Sequence, residues 1–315
     1  MISYFKHIVK KGDEFTNMNN KFYTEFGISG ASLPYAKLCG VEFFSTEAVF
    51  DCGQAFRFLP IEKTTHECEY GGVAFGKYIS VAQDGDTLTI YGATEDDLEK
   101  IWIPYLGLDF DINTARSDIL SRSDNPALRE AVEYGKGIRI LRQDKWETLC
   151  SFIISQNNNI PRIRGLISTI SKTLGERIEC PAGEVYSFPT AEAVAAAGVD
   201  VLREMKFGFR APYIFDAATK VASGEIDLEA VATAETTAEA AQMLMKIKGV
   251  GPKVAACTLL FGFDRTDAFP VDVWVKRVIE KYFPAPFDAA SLGKYAGLAQ
   301  QYLFYYERYL GGQKS

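Results

Sequence analysis

Along residues 71–93, GGVAFGKYISVAQDGDTLTIYGA, apolar and polar positions alternate on both sides of an Asp-Gly pair. A period of two with a tight turn at its centre predicts an antiparallel hairpin. From Asn125 the pattern changes. NPALREAVEYGKGIRIL opens with an asparagine before a proline, the composition of a helix start, and the segments after it carry few strand signals. The stretches TAEAVAAAGVDVLREM and TAEAAQMLMKI read as helices begun at Thr190 and Thr237, whose hydroxyls can cap them. AAQMLMKIKGVGPKVAACTLLFG reads as helix, tight turn, helix, with Gly249 ending the first helix and Gly251 and Pro252 starting the second. The pattern predicts a β-rich first part, a boundary near residue 130 and a mostly helical remainder, with no repeat or low-complexity tract.

A chain of 315 residues with 47% hydrophobic content suits two domains, or one large domain with an appendage. No apolar run approaches the ~18 residues of a membrane span, and the N-terminus MISYFKHIVKKGDEFTN lacks the apolar stretch of a secretory signal, so an intracellular protein is expected. The six cysteines (Cys39, Cys52, Cys68, Cys150, Cys180 and Cys257) form no C-x-x-C pair. That spacing argues against zinc ribbons and iron–sulfur clusters and fits reduced thiols. The two histidines, His7 and His66, leave little from which to build a Ser-His-Asp triad or a multi-histidine metal site. Chemistry here has to rely on Lys, Asp or Glu. The formal charge of −7 weighs against nucleic acid only mildly, because binding needs just one basic, dipole-lined face.

Pro252 supplies the fixed φ of a first helical residue, which places Lys253 in the first turn, where the positive end of the helix dipole disfavours a protonated amine. Partial burial would depress its pKa further, and the result is a nucleophilic lysine. A surface lysine near a phosphate fits the same stretch, KGVGPKVAAC. Amides around Gly249 to Gly251 would point outward as an anion site suited to one DNA phosphate, although the same pattern also makes a simple helical corner. Downstream, DAFPVDVWVKRVIEKYF sets Asp272 at the N-cap of an amphipathic helix. A capping role alone accounts for it. Beside a lysine nucleophile, however, a carboxylate suits attack at an anomeric carbon, where the departing base leaves oxocarbenium character for an anion to stabilise. Cys257, four residues beyond Lys253, shares its helix face, either as core packing or as a thiolate that would raise the lysine's pKa.

In SFIISQNNNIPRIRG the triplet Asn157 to Asn159 separates an apolar helix from one opened by Pro161. One asparagine suffices for a cap. Three, with Arg162 and Arg164 behind them, suit base edges. KFGFRAPY sets Phe209 and Arg210 in a glycine-flanked turn, where an aromatic beside an arginine could fill a gap in a base stack or form an ordinary loop.

These residues together resemble the 8-oxoguanine DNA glycosylase/AP lyases of the helix-hairpin-helix glycosylase superfamily. The resemblance runs from about Val41 through CGQAFRF, IRILRQDKWETLCSFIISQNNNIPRI, FGFRAPY, IKGVGPKVAAC, FPVDVWV and YAGLAQQYLF. It implies an α+β fold, with an antiparallel β-containing domain over 41–130 packed on a helical helix-hairpin-helix body over 131–315; residues 1–40 carry no assigned role. It makes Lys253 the Schiff-base nucleophile and Asp272 the essential carboxylate. Base recognition would fall to the Gly53 carbonyl, the Gln300 amide and a sandwich between Phe304 and Cys257. Asn157 would fill the vacated position, Arg162 and Arg210 would read the orphaned cytosine beside Phe209, and Gly249 and Gly251 would hold the DNA backbone. The family needs no organic cofactor but suggests a monovalent or calcium ion on the carbonyls of Met245, Ile247 and Val250. The implied partner is double-stranded DNA containing 8-oxoguanine, with no membrane involvement, and the protein is expected to act as a monomer in the cytoplasm of a bacterium or the nucleus of a eukaryote.

One departure stands out: Trp274 occupies the place where eukaryotic relatives carry a histidine that contacts a phosphate near the lesion. The iron–sulfur members of the superfamily need four C-terminal cysteines, and none follows Asp272. Alkylation-repair members keep the aspartate but lack the lysine. Two rivals of other classes remain, a non-catalytic helix-hairpin-helix DNA-binding protein and a lysine aldolase.

Overall fold

The computed structural model describes residues 11–17, 20–30, 33–180 and 183–312. His7 lies outside them. Seven strands form one antiparallel sheet: β1 (Lys11–Asn17), β2 (Asn20–Ile28), β3 (Pro34–Cys39), β4 (Leu59–Pro60), β5 (Cys68–Ala74), β6 (Lys77–Asp84) and β7 (Thr87–Tyr91), in the order β1-β2-β3-β7-β6-β5-β4. Three of these strands come from the first 40 residues, and β3 completes the middle of the sheet by pairing Leu38 with Leu88 and Tyr35 with Tyr91. The β6–β7 turn is Gly85–Asp86, one residue beyond the Asp-Gly pair of the sequence pattern, with Gly85 at φ 59° and Asp84 paired to Thr87. Along β6 the burial is two-sided: Ile79, Ser80, Val81 and Ala82 are all buried. Alternation survives in the side-chain chemistry alone.

Between β3 and β4 the chain inserts helix α1 (Thr46–Asp51), capped by the Ser45 hydroxyl, which accepts the Ala48 amide at 3.2 Å. Val49 and Phe50 enter the core of the sheet with Leu38, Phe58, Ile79, Leu88, Ile90 and Trp102. Ala48 and Cys52 enter a second core, made with α2 (Ile112–Arg122), α3 (Pro126–Tyr134) and the late C-terminal helix through Leu298, Ala299, Tyr302 and Leu303. Two cores thus grip α1 from opposite sides and fix the turn that follows it, Cys52–Gly53.

A third core unites the helical body. Its elements are α4 (Lys145–Ile154), α5 (Ile160–Leu174), the ribbon β8 (Arg177–Cys180) and β9 (Gly183–Tyr186), α6 (Ala191–Glu204, interrupted at Gly198), α7 (Ala211–Ala222), α8 (Leu228–Thr233), α9 (Thr237–Leu244) and α10 (Pro252–Gly262). Helices α11 (Val273–Tyr282) and α12 (Ala296–Gly312) then carry the chain back to α3. The cap of α9 is Thr236, not Thr237: Thr236 and Glu239 exchange side-chain-to-backbone bonds at 3.1 and 3.2 Å, while the Thr237 hydroxyl donates to Asp267. Nor does Gly249 end that helix. It stops at Leu244 with Met245 as its cap, and residues 245–249 are turns, because the tight hairpin needs several non-helical residues rather than one.

Candidate active site

Helices α10 and α11 both begin at one cavity of about 60 Å³, lined by Cys52, Gly53, Phe152, Lys253, Cys257, Phe261, Pro270, Asp272, Gln300, Gln301 and Phe304. It brings together both expected catalytic groups and all four expected base-recognition residues, from four separate stretches of chain. Pro252 is the first residue of α10, so Lys253 is its second, and the N-cap Gly251 contributes no side-chain bond. Asp272 caps α11, its Oδ1 accepting the Val275 amide at 2.8 Å. Among the described residues no carboxylate forms an ion pair with Lys253. Its ammonium instead lies 3.4 Å from the Ser155 hydroxyl and 5.3 Å from the centre of the Phe152 ring. Cys257 is buried, and burial pushes its thiol above the usual range; the neighbouring Lys253 opposes the shift without reversing it. That direction favours the thiol over the thiolate at this position.

One wall of the cavity offers an unpaired hydrogen-bond acceptor. Gln300 is 4% exposed, yet its Oε1 has no partner among the described residues. A buried, unpaired acceptor costs roughly 1–3 kcal/mol, a cost that a ligand carrying a donor removes. The next residue, Gln301, donates to the Cys52 carbonyl at 2.7 Å and so locks the turn at Gly53. Gly53 has φ +82°, and a Cβ there would sit 3.5 Å from the Phe304 ring. A side chain at this position would be strained by the left-handed backbone, its Cβ in ordinary contact with the ring.

Beside the cavity, the three asparagines divide their work. Asn159 caps α5 by accepting the Arg162 amide at 3.0 Å, and Asn158 donates to the Ile154 carbonyl at 3.1 Å. Asn157 is exposed with a left-handed backbone, φ 47°. Arg162 is exposed, whereas Arg164 turns away toward Asp51 at 3.5 Å. Arg210 is 3% exposed: its guanidinium donates to the Asn157 carbonyl at 2.9 Å and to that of Gln156, and stacks 4.3 Å from the Phe209 ring. It braces the asparagine turn rather than facing solvent, a tertiary duty that its sequence neighbours do not reveal. Phe209 itself is about half exposed.

In the hairpin, Gly249 has φ +79°, and a Cβ there would lie 2.3 Å from the Tyr213 ring; Gly251 has open space at the same test. The Val250 amide bonds the Ile247 carbonyl at 3.1 Å, while the amides of Gly249 and Gly251 have no acceptor among the described residues. Asp216 and Lys220 of α7 secure the turn by accepting the Lys248 amide and donating to the Lys246 carbonyl, both at 2.7 Å. Trp274 is 45% exposed, with the Arg277 guanidinium 5.3 Å from the ring centre.

The sequence profile of the 8-oxoguanine DNA glycosylase N-terminal domain matches residues 38–149, and that of the HhH-GPD superfamily of base excision DNA repair proteins matches 150–290. DNA-bound MBOgg1 superposes with a TM-score of 0.82 at 40% identity, over 91% of this chain and 99% of that one. This chain belongs to the 8-oxoguanine DNA glycosylase family. A Clostridium acetobutylicum 8-oxoguanine glycosylase/lyase, solved with DNA carrying cytosine opposite 8-oxoG, gives a TM-score of 0.82 at 36% identity, over 91% of this chain and 98% of its own. The N-glycosylase/DNA lyase OGG1 of Arabidopsis thaliana is 31% identical over 281 residues, 81% of this chain and 75% of that protein. The chain spans 66% of the length of the Saccharomyces cerevisiae relative. Within this glycosylase family frame, sequence reasoning missed Phe152, Ser155, Phe261 and Gln301. Phe152 and Ser155 had a signal: three residues apart in SFIIS, just before the asparagine triplet, they share a helix face.

Proposed function

We propose that this protein is a bifunctional DNA glycosylase/AP lyase that removes 8-oxoguanine from duplex DNA, preferentially opposite cytosine. The observation that carries the reading is the convergence of Lys253, Asp272, the Gly53 turn and the unpartnered Gln300 Oε1 on one cavity. The Lys253 amine, once neutral, attacks C1′ of the damaged nucleoside; the N-glycosidic bond breaks with its electron pair leaving on the base, and the amine gives up a proton. The Asp272 carboxylate, held by the Val275 amide, opposes the positive charge that develops on the sugar. The cyclic aminal then opens, its C1′–O4′ bond breaking as O4′ takes up a proton, to give a Schiff base that acidifies the 2′ hydrogen, and loss of that proton expels the 3′ phosphate. Guanine N7 accepts hydrogen bonds, but in the 8-oxo form N7 carries a proton, so the Gly53 carbonyl would distinguish the two. Asn157 would take the place of the flipped base, and Arg162 would read the estranged cytosine from a turn braced by Arg210.

The reaction needs no organic cofactor. The carbonyls of Met245, Ile247 and Val250 offer hard main-chain oxygens of the kind monovalent ions and calcium accept, and an ion there would add positive charge for a DNA phosphate. No helix of the described residues is long and apolar enough to cross a membrane.

The test is borohydride trapping on a duplex holding one 8-oxoguanine opposite cytosine. The wild type should give a covalent adduct, and Lys253→Gln should give none while still binding the duplex. An adduct in that variant would sink the assignment. A non-catalytic DNA clamp would give no adduct in either.

A further inference from the structure

We propose that Ser155 is a positioning residue that orients the Lys253 amine. The inference rests on Lys253 being the nucleophile. The Ser155 hydroxyl donates its hydrogen to the Phe152 carbonyl at 2.8 Å, one turn earlier at the end of α4. With that hydrogen committed, the oxygen presents only lone pairs to Lys253 Nζ, 3.4 Å away. The direction of the bond is therefore set: the amine must donate to the serine, in its charged and in its neutral form alike. A neutral amine that spends one N–H on Ser155 cannot aim its lone pair at the serine, which leaves the lone pair one of the two remaining positions, available to a sugar bound in the cavity. A hydroxyl free to rotate could instead donate to the amine and occupy that lone pair.

The neighbours reinforce the arrangement. Phe152 lies under the ammonium at 5.3 Å and is itself clamped, stacked on Phe261 at 5.4 Å and edge-on to Phe56 at 5.8 Å. Lys253 has no ion pair among the described residues, and its Ser155 and Phe152 partners carry no charge. Uncharged partners hold the amine in place without the strong preference for the ammonium that a carboxylate contact would impose.

The experiment uses a duplex with a preformed abasic site, so that imine formation is read without base excision. Under single turnover with borohydride, Ser155→Ala should trap roughly five- to tenfold more slowly than wild type, the loss of about one hydrogen bond's worth of orientation. Affinity for the same duplex and the melting temperature should stay at wild-type values. Ser155→Thr, which keeps the hydroxyl, should restore the rate. Should the alanine variant fail to fold, Ser155→Cys, of similar size but a weak acceptor, carries the comparison and should be slow. Wild-type trapping in the alanine or cysteine variant would overturn the proposal, as would a threonine variant that folds and stays slow. A loss of DNA affinity matching the loss of rate would also overturn it. If the wild type itself gave no adduct, the nucleophile assignment would fail instead, a result distinct from any of these.

Discussion

The two hairpin glycines make opposite demands, and replacing each by alanine separates folding from DNA binding. Gly251 has φ −102° and ψ −176°, extended backbone open to any residue, and an added Cβ meets nothing within 4 Å. Alanine there reduces unfolded-chain entropy, worth ~0.4–1 kcal/mol of stability, and is a poorer N-cap than glycine by a similar amount. The two effects nearly cancel, so Gly251→Ala should melt within about 3 °C of wild type, given a few degrees per kcal/mol for a chain of this size. The space that tolerates the methyl is the space a phosphate would need in order to reach the Gly251 amide. Losing one hydrogen bond to a charged oxygen costs about 1.5–3 kcal/mol, or roughly ten- to a hundredfold in Kd. Gly249→Ala differs, because φ +79° strains an L-residue by ~1–2 kcal/mol and the methyl collides with Tyr213 at 2.3 Å. That variant should lose both stability and affinity. Fluorescence anisotropy on a labelled 8-oxoguanine duplex, paired with thermal melts, reads both quantities. A Gly251→Ala protein that binds DNA as tightly as wild type would refute the phosphate reading of the hairpin.

Arg139 is 2% exposed and donates to the carbonyls of Glu42, Phe43, Gly107 and Phe110 at 2.7–3.2 Å, tying the loop before α1 to the one before α2. Arg139→Met, which keeps the bulk and removes the donors, should cost at least ~3 kcal/mol in urea unfolding; a loss under 1 kcal/mol would show that the loops hold without it. Burial raises the Glu147 carboxyl from 4.5 to about 7, against the opposing pull of Arg57 at 3.3 Å. The unfolded chain therefore ionises first, so Glu147 should make stability fall as pH rises from about 4.5 through about 7, and Glu147→Gln should flatten that part of the melting-temperature profile. Profiles with equal slopes would contradict the shift.

Local rules made the helix starts legible. Asn125 before Pro126, Gly251 before Pro252 and Asp272 before Val273 all stand where chain-local chemistry puts them. Thr236 was equally legible, since Thr-x-x-Glu marks a capping box that begins at 236 and not 237. What the sequence hides is long-range. Nothing near Arg210 indicates that its donors bond carbonyls more than 50 residues away, nor does anything near Gly53 announce that Gln301 will hold the turn from the far end of the chain. The first strands were hidden for a related reason: β1 to β3 become a sheet only by pairing onward to β7, a partner about 50 residues downstream. Lys253, Asp272 and the asparagine triplet could be named because each announces itself by its own helix start. Phe152 and Ser155 lie at a helix end, where an apolar ring and a hydroxyl look like ordinary packing and capping.

How a chain of net charge −7 would grip DNA, on the proposed function, follows from which helix starts lack a side-chain cap. Side chains at Ser45, Asp111, Asn125, Asp144, Asn159, Thr190, Asp227, Thr236 and Asp272 each accept an amide at the start of a helix, from α1 through α6 and at α8, α9 and α11. Helices α7 and α10 begin without a side-chain cap. Helix α7 continues a 3-10 turn, Gly208–Arg210, whose Gly208 carbonyl accepts the Ala211 amide, whereas α10 starts at Gly251 beside the cavity. An uncapped N-terminus retains the partial positive charge of its unpaired amides, about half an elementary charge, and an anion satisfies it at short range. Such a grip needs no lysine and is indifferent to carboxylates more than a Debye length away, about 8–10 Å at physiological salt. The same economy explains Asp272. Its charge is anchored by the α11 amide at the cavity, where on the proposed mechanism a developing sugar cation would need it, while the neighbouring α10 end would stay free for phosphate.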